Sequence, residues 1–69
     1  MKDFLKIKNS EWAPNSTKKM IYEDEDGRLF LGPPISYVVG ETIIVEISKT
    51  PIDGYYHIIR LIGKISPDK

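Results

Sequence analysis

Apolar and polar residues alternate with a period of two along most of this chain. No stretch sustains an apolar period of 3.6 over three turns. The pattern predicts strands. Residues 4–8 place Leu5 and Ile7 on one side and Lys6 and Lys8 on the other, which reads as a short strand. Residues 9–18 are polar, contain Pro14 and read as a loop, with Trp12 laid over the core edge as its anchor. Asp26-Gly27 stands between two β-like runs and predicts a two-residue type I′ hairpin turn. Glu25 then faces Arg28, Asp24 faces Leu29, Glu23 faces Phe30 and Tyr22 faces Leu31. Met20, Tyr22, Leu29 and Leu31 share the expected core face, while Phe30 falls on the more polar side beside acids.

Gly32-Pro33-Pro34 ends the hairpin, because proline donates no ladder hydrogen bond. Residues 35–39 read as a further short strand. Residues 42–48 form the cleanest one, with Ile43, Val45 and Ile47 inward, Thr42, Glu46 and Ser48 outward, and Ile44 the apolar exception. Thr50–Gly54 has turn chemistry. Residues 55–65 form a long last strand whose paired apolar positions, Ile58-Ile59 and Leu61-Ile62, fit either a strand apolar on both faces or one bent by a bulge near Gly63. Residues 66–69 read as a frayed tail. Five or six short strands in 69 residues are most economically closed into a small barrel, which removes exposed edges. Gly40-Glu41-Thr42-Ile43-Ile44-Val45-Glu46-Ile47, followed by a turn and a second long strand, resembles the Gly-acid-strand-hairpin pattern of OB-fold and SH3-like barrels. The expectation is one all-β domain over residues 1–69, a five- or six-stranded OB-like or SH3-like barrel. Such folds host many functions, so activity must be argued from the site.

Composition narrows the chemistry. Cysteine is absent, which excludes disulfides, thiolate metal sites and cysteine nucleophiles. No apolar run approaches the roughly 20 residues that span a bilayer. The first residues, MKDFLKIKNSEW, hold no apolar stretch of signal-peptide length, so a cytoplasmic location is expected. Ten basic residues balance ten acidic ones, but unevenly. Residues 1–19 carry five Lys against Asp3 and Glu11, residues 20–46 carry Arg28 against six acids, and residues 47–69 are again net basic. A folded domain with one acidic and one basic side follows.

The candidate sites are few. Glu23-Asp24-Glu25-Asp26-Gly27 lacks the acid and the bidentate Glu that an EF-hand loop needs, because Tyr22 and Pro33 stand at those places. The same acids, with Phe30 beside them, suit an acidic prong that docks on a basic protein surface. His57 is the only histidine, and it would face Glu46 if Ser48 lies opposite Tyr55. With no second His and no glycine-rich phosphate loop, neither a metal site, a cofactor site nor an enzyme is expected. The leading expectation is a small non-catalytic protein-binding module or inhibitor, acting on a larger protein partner through Glu23, Asp24, Glu25, Asp26 and Phe30. The alternative is an OB-like binder of single-stranded DNA or RNA. It would stack bases on Tyr55 and Tyr56, with Phe30, Trp12 and Tyr37 as further aromatics. Lys6, Lys8, Arg60 and Lys64, with Lys49, would meet phosphate. Ile44, Ile59 and Leu61 suggest a second apolar face, covered either by the N-terminal segment or by another chain, so a homo-oligomer stays open.

Overall fold

A computed structural model of the protein describes residues 1–66. Of the expected tail, Ser66 carries no regular structure and the rest lies outside the described residues. Five strands form: β1 (Lys2–Trp12), β2 (Met20–Asp24), β3 (Leu29–Gly32), β4 (Thr42–Ile47) and β5 (Tyr56–Ile65). They close into a barrel in the order β1-β2-β3-β5-β4, the small OB/SH3-like architecture that the alternation calls for. β1 serves both halves. Its residues Lys2–Lys6 pair with β4, and its residues Ile7–Trp12 pair with β2, with a break in register at Lys8. The strand is therefore longer than residues 4–8, and the loop expected at 9–18 begins only after Trp12. Asn9, Ser10 and Glu11 carry no apolar alternation because their outward sides meet solvent, so only the pairing with β2 reveals them as strand.

The β2–β3 hairpin differs from the expected one by a single residue. Tyr22 pairs with Phe30 and Glu23 with Leu29. Asp24 N–H bonds to the Arg28 carbonyl and Gly27 N–H to the Asp24 carbonyl, which leaves a three-residue loop with Gly27 at φ 85°. This is a type I turn followed by a left-handed glycine, the commonest alternative to the two-residue turn. The cause is the Asp24 carboxylate, which accepts the N–H groups of Asp26 and Arg28 at 3.1 and 2.8 Å and so caps the longer loop. A one-residue slip exchanges the two faces of a ribbon. Tyr22 keeps its expected inward place and Phe30 now joins it there, while Leu29 turns to the surface and Leu31 is only half-buried. The type I′ geometry appears instead at the other Asp-Gly pair. Asp53 and Gly54 both have positive φ, and Ile52 and Tyr55 exchange two backbone hydrogen bonds.

Residues 35–39 form no strand. After Pro33-Pro34 the segment packs Ile35 and Tyr37 against the core and is held by Tyr22, whose hydroxyl donates to the Pro33 carbonyl at 2.7 Å and accepts from Ile35 N–H at 2.8 Å. β3 and β5 then meet in parallel at only two positions, Phe30 with Tyr56 and Leu31 with His57. Gly32 lets them approach: a Cβ there would lie 2.7 Å from the Cβ of Ile58. β5 absorbs its paired apolar residues in two bulges. Glu46 and Ile47 oppose Arg60 and Ile58, leaving Ile59 extra, and Val45 and Ile44 oppose Leu61 and Gly63, leaving Ile62 extra. A bulge near Gly63 is present, but the two together shift the register: with Ser48 opposite Tyr55, unbroken pairing would set Ile44 against Ile59 and Thr42 against Leu61, whereas Ile44 faces Gly63 and Thr42 faces Ile65. The core comprises Leu5, Ile7, Tyr22, Phe30, Ile43, Val45, Ile47 and Ile58, with Met20, Ile35, Tyr37 and Tyr56 packed against it.

Candidate functional site

Each side of the barrel presents the residues that its register turns outward. On the β1–β2–β3 side these form two cross-strand rows, Asn9–Glu23–Leu29 and Glu11–Ile21–Leu31. A cleft of about 190 Å³ opens among them, with Ile21 and Leu29 as apolar wall, Glu11 and Glu23 as carboxylates, and Tyr55 at the margin. Asn9 Nδ2 donates to Glu23 Oε1 at 3.2 Å and fixes that carboxylate against the wall. The type I′ turn at Asp53-Gly54 places Tyr55 here, one residue before β5 begins. Among the described residues no lysine or arginine lines the cleft. Beyond it the hairpin tip carries Glu25 and Asp26, both exposed.

The structure separates the residues expected to form an acidic prong. Glu23, Glu25 and Asp26 reach the surface. Asp24 is only 3% exposed and Phe30 is fully buried, so neither is placed to touch a partner. Asp24 instead accepts Arg28 Nε at 2.9 Å, and Arg28 Nη1 donates to Asp3 at 2.7 Å, tying the hairpin to β1. The guanidinium also lies over the Phe30 ring, 5.3 Å from its centroid. Burial works against the charge of Arg28, but its hydrogen bonds and charge contacts with Asp3 and Asp24 outweigh it and hold its pKa above the ordinary arginine value.

The six candidate nucleic-acid residues do not converge. Lys6 and Arg60 project from the β1–β4–β5 side, and Arg60 Nε is held at 2.8 Å by Glu46 Oε1. Lys8 sits exposed at the irregularity in β1, and Lys64 Nζ donates to the Ser36 carbonyl at 2.6 Å. Tyr55 lines the cleft on the other side, while Tyr56 turns inward and packs its ring 5.6 Å from that of Phe30. Tyr37 bonds to Ser10 through its hydroxyl at 2.9 Å, and Trp12 stays more than half exposed at the end of β1 rather than covering the core. The Glu46–His57 pair does not form either. The first β5 bulge gives Glu46 to Arg60, and His57 lies beside Ser48, whose hydroxyl accepts the His57 N–H at 3.1 Å.

No family model, curated protein or solved structure matches the chain. The site therefore rests on its own geometry. Among the described residues no three His, Cys, Asp or Glu gather to hold a metal, and no helix is long and apolar enough to cross a membrane. The residues that sequence reasoning missed are Asn9, Glu11, Ile21 and Leu29. Their signal was the odd-position alternation of 9, 11, 21 and 23 across two strands, which shows only once β1 is known to reach Trp12.

Proposed function

We propose that this protein is a small non-catalytic protein-binding module, working as an adaptor or inhibitor. It grips a larger partner with the acidic, apolar outer face of β1–β2–β3 and the adjoining hairpin tip. The observation that carries this reading is the cleft itself, which among the described residues has apolar walls, two carboxylates and no cation. Such a surface matches lysine and arginine side chains, whose long apolar stems pack on Ile21 and Leu29 while their charges meet Glu11 and Glu23. Oligonucleotide-binding barrels use the corresponding β2–β3 face, and phosphate would meet carboxylates there.

The test is a pull-down with the wild-type protein and with a variant carrying Glu11→Gln, Glu23→Gln, Glu25→Gln and Asp26→Asn. Capture that is specific to the wild type and weakens with added salt is expected. Equal capture by the two proteins sinks the proposal. Anisotropy of labelled single-stranded DNA and RNA, titrated in parallel, is expected to stay flat at low salt. A steep, salt-sensitive rise there would put the nucleic-acid reading in its place.

A further inference from the structure

Inside this chain an arginine already sits between two carboxylates. Arg28 donates to Asp24 at 2.9 Å and to Asp3 at 2.7 Å, with its guanidinium 5.3 Å from the centroid of the Phe30 ring. The cleft between β1, β2 and β3 offers a similar set of partners from outside. Glu23 and Glu11 stand on adjacent cross-strand rows of one face, Asn9–Glu23 and Glu11–Ile21. Diagonal neighbours of this kind lie roughly 7–8 Å apart, within reach of long side chains. One guanidinium between them can serve both, because it carries donors on two edges. Tyr55 supplies the ring at the margin, and its two backbone hydrogen bonds with Ile52 fix where it stands.

What the cleft lacks is the cation. Among the described residues neither Glu11 nor Glu23 enters an ion pair, and both arginines of the chain, Arg28 and Arg60, are engaged elsewhere. An arginine in the cleft therefore comes from another molecule. The volume of about 190 Å³ is below the roughly 300 Å³ at which small-molecule sites begin, and it suits a single side chain. Ile21 and Leu29 give an aliphatic stem its wall. Asn9 donates to Glu23 Oε1 at 3.2 Å, so this carboxylate is positioned before a ligand arrives. A fixed, planar acceptor suits the rigid fork of arginine. The ammonium of lysine is a compact point charge that holds its water more strongly.

We propose that the cleft is an arginine pocket. It takes one arginine side chain from an exposed segment of the partner protein, with the guanidinium between Glu11 and Glu23, the stem on Ile21 and Leu29, and the Tyr55 ring beside the charge. Asn9 is a positioning residue that sets the preference for arginine over lysine. Glu25 and Asp26, exposed on the hairpin tip and outside the cleft, add attraction without discrimination. The inference rests on the reading of this face as a protein-contact surface, and it names the side chain that the face selects.

Backbone amide shifts of the isotope-labelled chain, titrated with the capped peptide GGRGG and with its lysine and citrulline counterparts, test it. The arginine peptide is expected to shift Glu11, Ile21, Glu23, Leu29 and Tyr55. The lysine peptide is expected to bind about tenfold more weakly, the effect of one lost hydrogen bond to a charged group. The uncharged citrulline peptide is expected to leave these amides in place. Glu11→Gln and Glu23→Gln should each remove the preference, since a single carboxylate serves either cation. Asn9→Ala should narrow the arginine-to-lysine ratio with lysine binding unchanged, which a damaged fold would not do. Glu25→Gln/Asp26→Asn should keep the ratio. Equal affinity for the arginine and lysine peptides overturns the proposal, and so does an arginine peptide that shifts no cleft amide. Either result leaves the protein-binding reading standing where the pull-down still depends on Glu11 and Glu23. Equal capture in the pull-down ends that reading by itself.

Discussion

Phe30 shows how far one residue's role depends on register. By alternation from a two-residue turn it belongs to a surface beside acids; in the fold it is fully buried under Arg28. Phe30→Ala is expected to lower unfolding free energy by about 3–5 kcal/mol in urea titrations, the range for emptying a buried aromatic site. A variant of wild-type stability would place the ring outside the core. Tyr22 has a different signature. Burial raises its pKa above 10.0, helped by the nearby Tyr37 and opposed by the Ile35 N–H that its oxygen accepts. The folded state therefore holds this proton more tightly than the unfolded chain does. Stability on that account is complete below pH 10 and falls as the pH rises from 10 toward the folded pKa. Urea midpoints measured upward from pH 8 should drop more steeply for the wild type than for Tyr22→Phe. Parallel slopes would show that the Tyr22 proton is not linked to folding. The variant itself starts lower, because it leaves Pro33 and Ile35 without their hydroxyl partner.

Among the elements, β5 and its neighbours divide the glycines by what surrounds them. Gly32 lies where β3 meets β5, and an added Cβ would meet the Cβ of Ile58, which is fixed by its own backbone. Gly32→Ala is expected to cost about 1–3 kcal/mol through overpacking at the narrowest closure of the barrel. Gly63→Ala, with open space around it, is expected to keep or slightly raise the stability of the isolated chain. Thermal melts of both variants at low protein concentration check the pair; equal shifts would mean that β3 and β5 do not approach as described. The two Asp-Gly pairs make a similar contrast. Both read as tight turns, and only Asp53-Gly54 takes the two-residue form. At Asp26-Gly27 the carboxylate two residues upstream captures the loop N–H groups, and the salt bridge to Arg28 holds it there. That competition is local in sequence, yet it depends on Asp24 being buried against β1 with Asp3 beside Arg28.

For the whole molecule, a zero net charge conceals a cleft that carries carboxylates and, among the described residues, no cation, and salt should act on every contact made through it. The basic ends and acidic middle were legible as a charge pattern along the chain, but the fold interleaves them: Glu46 pairs with Arg60, Glu25 stands beside Lys6, and Glu11 joins Glu23 in the cleft. Sequence alone determined the all-β class, the small barrel, the inward set Ile43, Val45 and Ile47, and the shared side of Leu5 and Ile7, because period-two alternation is a local property that burial must respect. It also offered the bulge near Gly63 as one of two readings of the apolar pairs that broke that period. Only the tertiary structure decided the hairpin register, the inward turn of Phe30, the pairing of Glu46 with Arg60, and the cleft formed by Glu11, Ile21, Glu23 and Leu29. Each of these depends on which residue of a distant strand stands opposite. A single bulge or a one-residue loop change moves that assignment without altering the alternation visible along the chain.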